Sequence, residues 1–285
     1  LPVFNITTQR DIDDGSTQPA KFNYDDGNHK INGYIKIGIQ GNSSKNYPKK
    51  NYKIKMYSDA QYKNKLKWRP QADWDKNFKY NLKANYIDPT QARNLVNAQL
   101  FKAAIASTPL QFSEQSNLYK AQGLSQMEGF PIILNLNGNF HGLYTFNTKK
   151  DDKPFGLNNE QVGNEAIEFD QDGFQPFAKP DNQIDGKAFA TAINDRPTDL
   201  LSNNFKKFAN FINQSSDDDF RNHLKDYIDV KSVINCYIWG NLSQMEDWDN
   251  KSLILLTWDN GTHWYLTMYD MDSTWGFFWD GTPTV

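Results

Sequence analysis

Short runs of alternating apolar and polar side chains dominate the first 150 residues, and they constrain the fold more than any other feature. Alternation with a period of two is typical of half-buried strands. The clearest runs lie at residues 34–40, 51–57, 78–84, 131–136 and 142–147. The tripeptide Asn137-Gly138-Asn139 separates the last two runs and predicts a hairpin turn.

Helical spacing of apolar residues follows in two places. The first predicts a helix over residues 89–107, opened by Pro89. From about residue 186 the pattern becomes helical again, and Thr198, Ser216 and Asp229 are residue types that favour helix N-termini. In the helix after Asp229 we predict a buried stripe, composed of Val233, Ile234, Tyr237 and Ile238.

The C-terminal part returns to strands. Residues 253–258 and 263–269 flank Asp259-Asn260-Gly261 and predict a second hairpin, whereas the Gly-, Asp- and Asn-rich residues 151–186 predict a polar loop. Strands first, helices second and one late hairpin indicate an α+β fold of two lobes. We expect a mainly β lobe over residues 1–150 and a mainly helical lobe with the late hairpin over 151–285.

Composition excludes several classes of protein. A hydrophobic fraction of 38% with 14% aromatic residues is enough for a core and excludes wholesale disorder. The 31 Lys and Arg against 34 Asp and Glu argue against a nucleic-acid partner. No apolar run approaches the roughly 18–20 residues of a membrane helix, so we expect no membrane insertion. The single Cys236 excludes an internal disulfide framework and a cysteine zinc site, and it leaves the compartment open.

Two aspartates follow the last predicted strand. If the strand continues, Asp270 and Asp272 lie on one face with Leu266 and Met268, about 6.6 Å apart at Cα. Two carboxylates on an apolar face are costly without a cation, and a divalent ion is the simplest partner. The alternative is that the strand has ended and both aspartates lie in a solvated turn.

Two further clusters have residue types suited to chemistry. Residues 247–250, beginning with Asp247, include two aspartates and follow a predicted helix. The hairpin that comes next can bring them close to Asp270, and the alternative is a polar loop. Near residue 43, the hydroxyls of Ser43 and Ser44 and the charges of Lys50 and Lys53 suit phosphate groups. No GxxxxGK[ST] loop is present, and an exposed basic strand is the alternative.

Six sequence segments, taken in order, resemble one known family. They are residues 1–3, 40–44, 48–55, 82–88 with Arg93-Asn94 following, 142–147 and 269–276. In this order the chain resembles the CotH family of spore-coat-protein-H kinase-like proteins, in the form carried by phages and prophages. The resemblance implies a single domain over residues 1–285 with a two-lobed, atypical protein-kinase-like fold.

The resemblance also implies an activity and its residues. Members of the family are described as kinases that use ATP with Mg²⁺ or Mn²⁺, which here implies phosphate transfer to Ser or Thr hydroxyls of a protein substrate. The implied roles are nucleotide binding by Ser43, Ser44, Lys50, Lys53 and Tyr269, the last by stacking on adenine; substrate orientation by Asp247; and metal binding by Asp270 and Asp272.

Two positions depart from the family pattern. Ser252 stands where a metal-binding Asn is expected, although Asp249 or Asn250 could substitute, and Gln40 stands where many members have Arg. These departures keep a second hypothesis open, a non-catalytic structural module of a phage tail, spore coat or cell surface. Its partner would be another component of that coat or tail assembly, and such a location is favoured over a cytosolic one. For Arg93 we predict a structural ion pair with a carboxylate of the preceding loop, for which Asp88 is a candidate.

Overall fold

The computed structural model describes residues 1–13, 15–107, 117–158, 160–169, 177, 190–192, 198–246, 248–249 and 252–284. The chain forms two compact units. The first comprises Leu1–Leu95 and Met127–Lys149, and the second comprises Val96–Gln126 and Lys150–Val285. Among the helices in these ranges, none has the length and apolar character needed to cross a membrane.

The first unit is a closed barrel of seven strands. The strands are β1 (Val3–Thr7), β2 (Gln18–Asp25), β3 (Lys30–Gln40), β4 (Asn51–Tyr57), β5 (Lys79–Lys83), β6 (Gly129–Leu136) and β7 (Asn139–Thr148). They pair in the order β1-β2-β3-β4-β5-β7-β6. All neighbours are antiparallel except β1 and β6, which are parallel and close the barrel. Closure leaves the sheet without an open edge.

Alternate residues of each strand fill the barrel with apolar and aromatic side chains. Phe4 on β1 stacks on Phe22 with ring centroids 5.4 Å apart and lies 5.7 Å from the ring of Phe146 on β7. The ring of Phe146 also packs against the rings of Tyr80 and Phe130, with centroids 4.8 Å and 5.6 Å away. The intervening residues of the strands point outward, so the alternation recognised in the sequence separates core from surface.

The second unit contains a four-stranded sheet and most of the helices. Its strands are β8 (Glu165–Phe169), β9 (Ala190–Ala192), β10 (Leu253–Thr257) and β11 (Tyr265–Met268), in the antiparallel order β11-β10-β8-β9. The helices of the described residues are α1 (Arg93–Ser107), α2 (Asn117–Lys120), α3 (Asp199–Gln214), α4 (Asp217–Tyr227) and α5 (Val230–Leu242). Most of α1 belongs to this unit.

The local predictions agree with much of this structure. Both hairpins form, β6 with β7 and β10 with β11. Thr198, Ser216 and Asp229 each accept a hydrogen bond from a backbone N–H in the first turn of α3, α4 and α5. Helix α1 begins at Arg93 rather than at residue 89.

The expected two-lobed, α+β, kinase-like fold with a helical second lobe is wrong. The structure is β-rich: its first unit is a closed barrel, and its second unit contains a four-stranded sheet. Closure depends on the parallel pairing of β1 with β6, for example Val3 with Ile133, and no local pattern predicts a contact so distant in sequence. Strand β8 lies within residues 151–186, which we interpreted as a polar loop.

The predicted buried stripe of α5 is also wrong. Tyr237 and Ile238 are 60% and 54% exposed, and the helix instead buries Ser232, Asn235, Cys236, Trp239 and Gly240. Ser232 explains part of this difference, because its hydroxyl accepts a hydrogen bond from the backbone N–H of Leu266 on β11 at 2.9 Å. A short polar side chain on this face satisfies a strand N–H that an aliphatic residue would leave unpaired.

Candidate functional site

The candidate site is built around the acidic segment 269–274, which directly follows β11 in the second unit. The strand ends at Met268, and Asp270 has a φ of 60°, in the left-handed region. The strand, with its alternating side chains, therefore ends before Asp270. The two aspartates lie in a turn, as the alternative interpretation of the sequence expected, and not on one face of a continued strand. Both Asp270 and Asp272 are partly buried.

A buried amide on α1 holds the middle and end of this segment. The Nδ2 of Asn97 donates to the carbonyl of Met271 at 2.9 Å and to Oγ1 of Thr274 at 2.7 Å. Its Oδ1 accepts from Nε1 of Trp275 at 2.6 Å. Asn97 is only 1% exposed, so one side chain fixes three points around Asp272 without access to solvent.

A second buried amide holds the strand just before the aspartates. Nε2 of Gln126 donates to Oγ1 of Thr267 at 2.9 Å and to the carbonyl of Met268 at 3.2 Å. Sequence reasoning missed both amides. The available signal was a polar residue at buried helical spacing, since Asn97 shares the buried face of α1 with Phe101 and Ile105.

The loop after α5 is hydrogen-bonded to the same segment. Trp275 donates its backbone N–H to the carbonyl of Ser243 at 2.7 Å, and Glu246 donates to the carbonyl of Ser273 at 3.1 Å. The ring of Trp248 packs so closely on α5 that a Cβ at Gly240 would lie 2.4 Å from it. Asp247, the predicted catalytic residue, lies outside the described residues, as does Asn250.

Ser252, the position where the family pattern expects Asn, is buried beside the acidic segment. Its carbonyl accepts a hydrogen bond from the backbone N–H of Tyr269 at 2.9 Å. Its φ of 67° lies in the left-handed region, which Asn tolerates better than most residues.

An ion pair lies beside Tyr269. The ammonium of Lys150 bonds to the carboxylate of Glu168 and lies 4.2 Å from the centre of the Tyr269 ring. Burial, together with the negative charges of Asp270, Glu168 and Asp272, raises the pKa of the Tyr269 phenol well above its ordinary value. The three carboxylates and one ammonium therefore form a charged cluster within the second unit, and sequence analysis identified neither Lys150 nor Glu168.

The predicted phosphate-binding serines lie in the first unit. Ser43 and Ser44 begin a short 3₁₀ helix, Ser43–Asn46, and Oγ of Ser44 accepts from Nδ2 of Asn51 at 3.3 Å. The preceding Gly41 has a φ of 124°, and a Cβ there would lie 1.9 Å from Oγ of Ser44. Only glycine therefore allows this turn to bring the Ser44 hydroxyl against the backbone.

The neighbouring lysines have different environments. Lys50 donates to the carbonyl of Lys45 at 2.5 Å, and Lys53 is exposed on the outer face of β4. Lys49 is the most enclosed of the three, and its ammonium donates to the carbonyls of Ala84 and Leu143 at 2.8 Å and 2.5 Å and to Oε1 of Gln91 at 2.9 Å. Burial lowers the pKa of Lys49. Its three neutral acceptors indicate a structural role.

The donor set of the acidic segment fits a divalent cation. Mg²⁺ typically takes one or two protein carboxylates and completes its shell with water and phosphate oxygens, and Asp270 and Asp272 supply two carboxylates in one turn. Within the described ranges no group of three or more His, Cys, Asp or Glu side chains could hold a metal ion. Asp247, which would be a third acidic group, is not among those residues.

The comparisons with known proteins identify the family. A model of the CotH kinase protein family matches residues 37–284. The match covers most of the chain, and the chain therefore belongs to the CotH kinase protein family. It is a kinase-like domain by family, although its architecture is the β-rich one described above. A search of the curated proteins finds no match.

Proposed function

We propose that the chain is an ATP- and divalent-metal-dependent phosphotransferase that acts on Ser and Thr hydroxyls of a protein. The acidic segment carries this proposal: its two aspartates lie in a turn held by the buried amide of Asn97, after a strand end held by the buried amide of Gln126, and beside the charged cluster at Tyr269. Membership in a kinase family supplies the class of reaction. The finer placement in the phage- and prophage-borne branch depends on the motif resemblance alone and stays a prediction.

Each residue has a proposed task in this reaction. Asp270 and Asp272 would hold Mg²⁺ or Mn²⁺, which when bound neutralises charge on the nucleotide phosphates. Lys50 and Lys53, with the hydroxyls of Ser43 and Ser44, are proposed to bind phosphate oxygens, and Tyr269 to stack on adenine. Asp247 would orient the acceptor hydroxyl and accept its proton.

Autophosphorylation with radiolabelled ATP tests the proposal. We expect slow labelling, because Ser252 in place of Asn leaves the metal site short of a ligand. The label should be stronger with Mn²⁺ than with Mg²⁺, because Mn²⁺ generally binds more tightly to a site with few ligands. Asp247→Asn should abolish the label. Ser252→Asn should increase it, since Asn adds a carbonyl ligand and accepts the left-handed backbone at this position.

The matched control is Asp226→Asn, the same chemical change at an exposed position on α4, and it should label like the wild type. Calorimetry measures binding directly, and Asp270→Ala should bind Mg²⁺ together with ATP more weakly than the wild type does. If no label rises above the Asp247→Asn background with either metal, the proposal is wrong and the non-catalytic coat, tail or surface module is favoured.

A further inference from the structure

Charge is distributed very unevenly between the two units. The first unit contains 18 Lys and Arg against 10 Asp and Glu, whereas the second contains 13 against 24. The small net charge of the whole chain is therefore the sum of a positive charge on the barrel unit and a larger negative charge on the second unit. Sequence reasoning from net charge could not see this separation.

Three lysines of the barrel lie side by side across neighbouring strands. Lys36 on β3 pairs directly with Lys55 on β4, and Lys55 pairs directly with Lys79 on β5. We call these three residues the lysine row. All three point away from the barrel core, where the alternate residues Ile35, Ile54 and Tyr80 are buried.

No carboxylate on these strands compensates the lysine row. From residue 30 to residue 57 the chain has seven lysines and no Asp or Glu, and β5 has none either. Within the described part of the chain, none of the three forms an ion pair; Lys36 lies over the rings of Tyr57 and Tyr62, and Lys79 over that of Phe78. Like charges directly opposite each other destabilise a sheet, so the row has a cost that an anionic partner would remove.

We propose that the lysine row is a docking surface for an acidic, Asp- and Glu-rich polypeptide segment. The lysines are about 4.8 Å apart, the strand spacing, and their long side chains can reach carboxylates on alternate residues, about 6.6 Å apart, of an extended chain laid across β3, β4 and β5.

Two observations favour a polypeptide over other polyanions. The chain has a net charge of −3 and so offers a long polyanion such as duplex DNA no overall attraction, whereas a short acidic segment responds to the local charge of the lysine row. Among the described residues, none of the large apolar side chains that stay exposed lies between residues 2 and 85, so the surface has no apolar group for insertion into a lipid layer.

Fluorescence anisotropy with a labelled oligo-glutamate peptide tests the docking surface. Lys55→Glu is the sharpest variant, because it places a carboxylate between Lys36 and Lys79 and so removes repulsion within the sheet. We expect it to weaken binding by at least about tenfold without lowering the melting temperature. Lys55→Arg keeps the charge and should bind like the wild type.

The control for net charge is Lys207→Glu on the exposed surface of α3, which should also bind like the wild type. Wild-type affinity should fall as salt rises. The proposal is overturned if the wild type does not bind the peptide at low salt or if Lys55→Glu binds equally well. Tighter binding of an oligothymidylate or of phosphatidylserine vesicles, also lost in Lys55→Glu, would overturn the choice of partner. None of these outcomes depends on phosphotransferase activity.

Discussion

Among single residues, two enclosed charges of the first unit are stabilised in different ways, one by an opposite charge and one by neutral hydrogen-bond acceptors. Asp88, 2% exposed, pairs with Arg93 at 2.6 Å, which confirms the ion pair expected from sequence. The same carboxylate accepts the backbone N–H groups of Ala92 and Arg93, both at 2.8 Å, at the start of α1. Lys49, in contrast, is surrounded by neutral oxygens.

Removing Arg93 should destabilise the protein strongly. Arg93→Ala leaves the charge of Asp88 buried, and we expect a loss of about 3 kcal/mol in the free energy of unfolding. Urea denaturation followed by circular dichroism measures it. Arg69→Ala, at an exposed position in the same unit, is the control and should change stability by less than about 0.5 kcal/mol. Equal effects of the two substitutions would contradict the structural role.

The same carboxylate should make stability depend on pH in acid. Burial alone would raise the pKa of Asp88, but hydrogen bonds from Arg93 and Thr90 and the charge of Arg93 outweigh it and lower the pKa below its ordinary 3.8. The folded state then binds the proton less readily than the unfolded state, so the stabilisation is complete above about pH 4 and is lost as pH falls through the folded pKa. The stability gap between wild type and Asp88→Asn should therefore narrow from pH 7 to pH 3.

Lys49 should matter more for stability than its neighbour. Lys49→Met removes three hydrogen bonds that join residues far apart in sequence, and we expect a loss of about 2 kcal/mol. Lys50→Met removes a single bond to the nearby carbonyl of Lys45 and should cost less than about 1 kcal/mol. Thermal unfolding of both variants measures the two losses of stability. A larger loss in Lys50→Met than in Lys49→Met would contradict the structural role of Lys49.

At the scale of elements, α1 connects its buried face to the acidic segment through one side chain. Asn97 makes its three hydrogen bonds to residues 271–275, more than 170 positions later in the chain. Because a left-handed residue such as Asp270 does not continue a strand, these contacts rather than the sheet fix the turn. The geometry of the candidate metal ligands is therefore set by a helix.

Replacing Asn97 should loosen the turn. Asn97→Leu keeps the size but takes the acceptor from the indole N–H of Trp275 and the amide donor from the Met271 carbonyl and from Oγ1 of Thr274, at a cost of about 2–3 kcal/mol. Hydrogen exchange should show faster exchange for residues 269–275, together with weaker binding of Mg²⁺ and ATP. Gln99→Leu, on the exposed side of the same helix, serves as the control and should leave both readouts unchanged. Unchanged exchange in Asn97→Leu would disprove the positioning role.

At the scale of the whole molecule, closure of the barrel places the first strand beside one that begins more than 120 residues later. The backbone N–H of Ile133 donates to the carbonyl of Pro2 at 2.9 Å, and that of Asn137 to the carbonyl of Ile6 at 2.8 Å. Phe4 lies fully buried between these contacts, against Phe22 and Phe146. The N-terminal strand is therefore an integral part of the core of the first unit.

Truncating Phe4 tests that integration. Phe4→Ala should lower the free energy of unfolding by about 3–5 kcal/mol, because it leaves a cavity among aromatic rings. Val3→Ala, one residue earlier and only partly buried, should cost less than about 1.5 kcal/mol. Comparable small effects in a denaturant titration would show that β1 is not part of the barrel core.

Several local elements and the family could be predicted from the amino-acid sequence alone. Alternation and turn residues place β4 at residues 51–57 as predicted, side-chain caps begin α3, α4 and α5, and the ion pair of Asp88 with Arg93 follows from residues five positions apart. The ordered motifs indicate the CotH family, which the family model confirms. All of these are short-range or compositional features, in which local propensity and neighbouring side chains decide the outcome.

The closed barrel, the buried face of α5 and the surroundings of the aspartates depend on contacts between distant parts of the chain. The pairing of β1 with β6, the contact of Ser232 with β11 and the bonds from Asn97 to residues 271–275 all join positions far apart in the chain. The lysine row likewise exists only because the register brings Lys36, Lys55 and Lys79 opposite one another. A local pattern indicates where an element lies, but neither its partner nor, as α5 shows, which of its faces is buried, since long-range pairing depends on the packing of the whole chain.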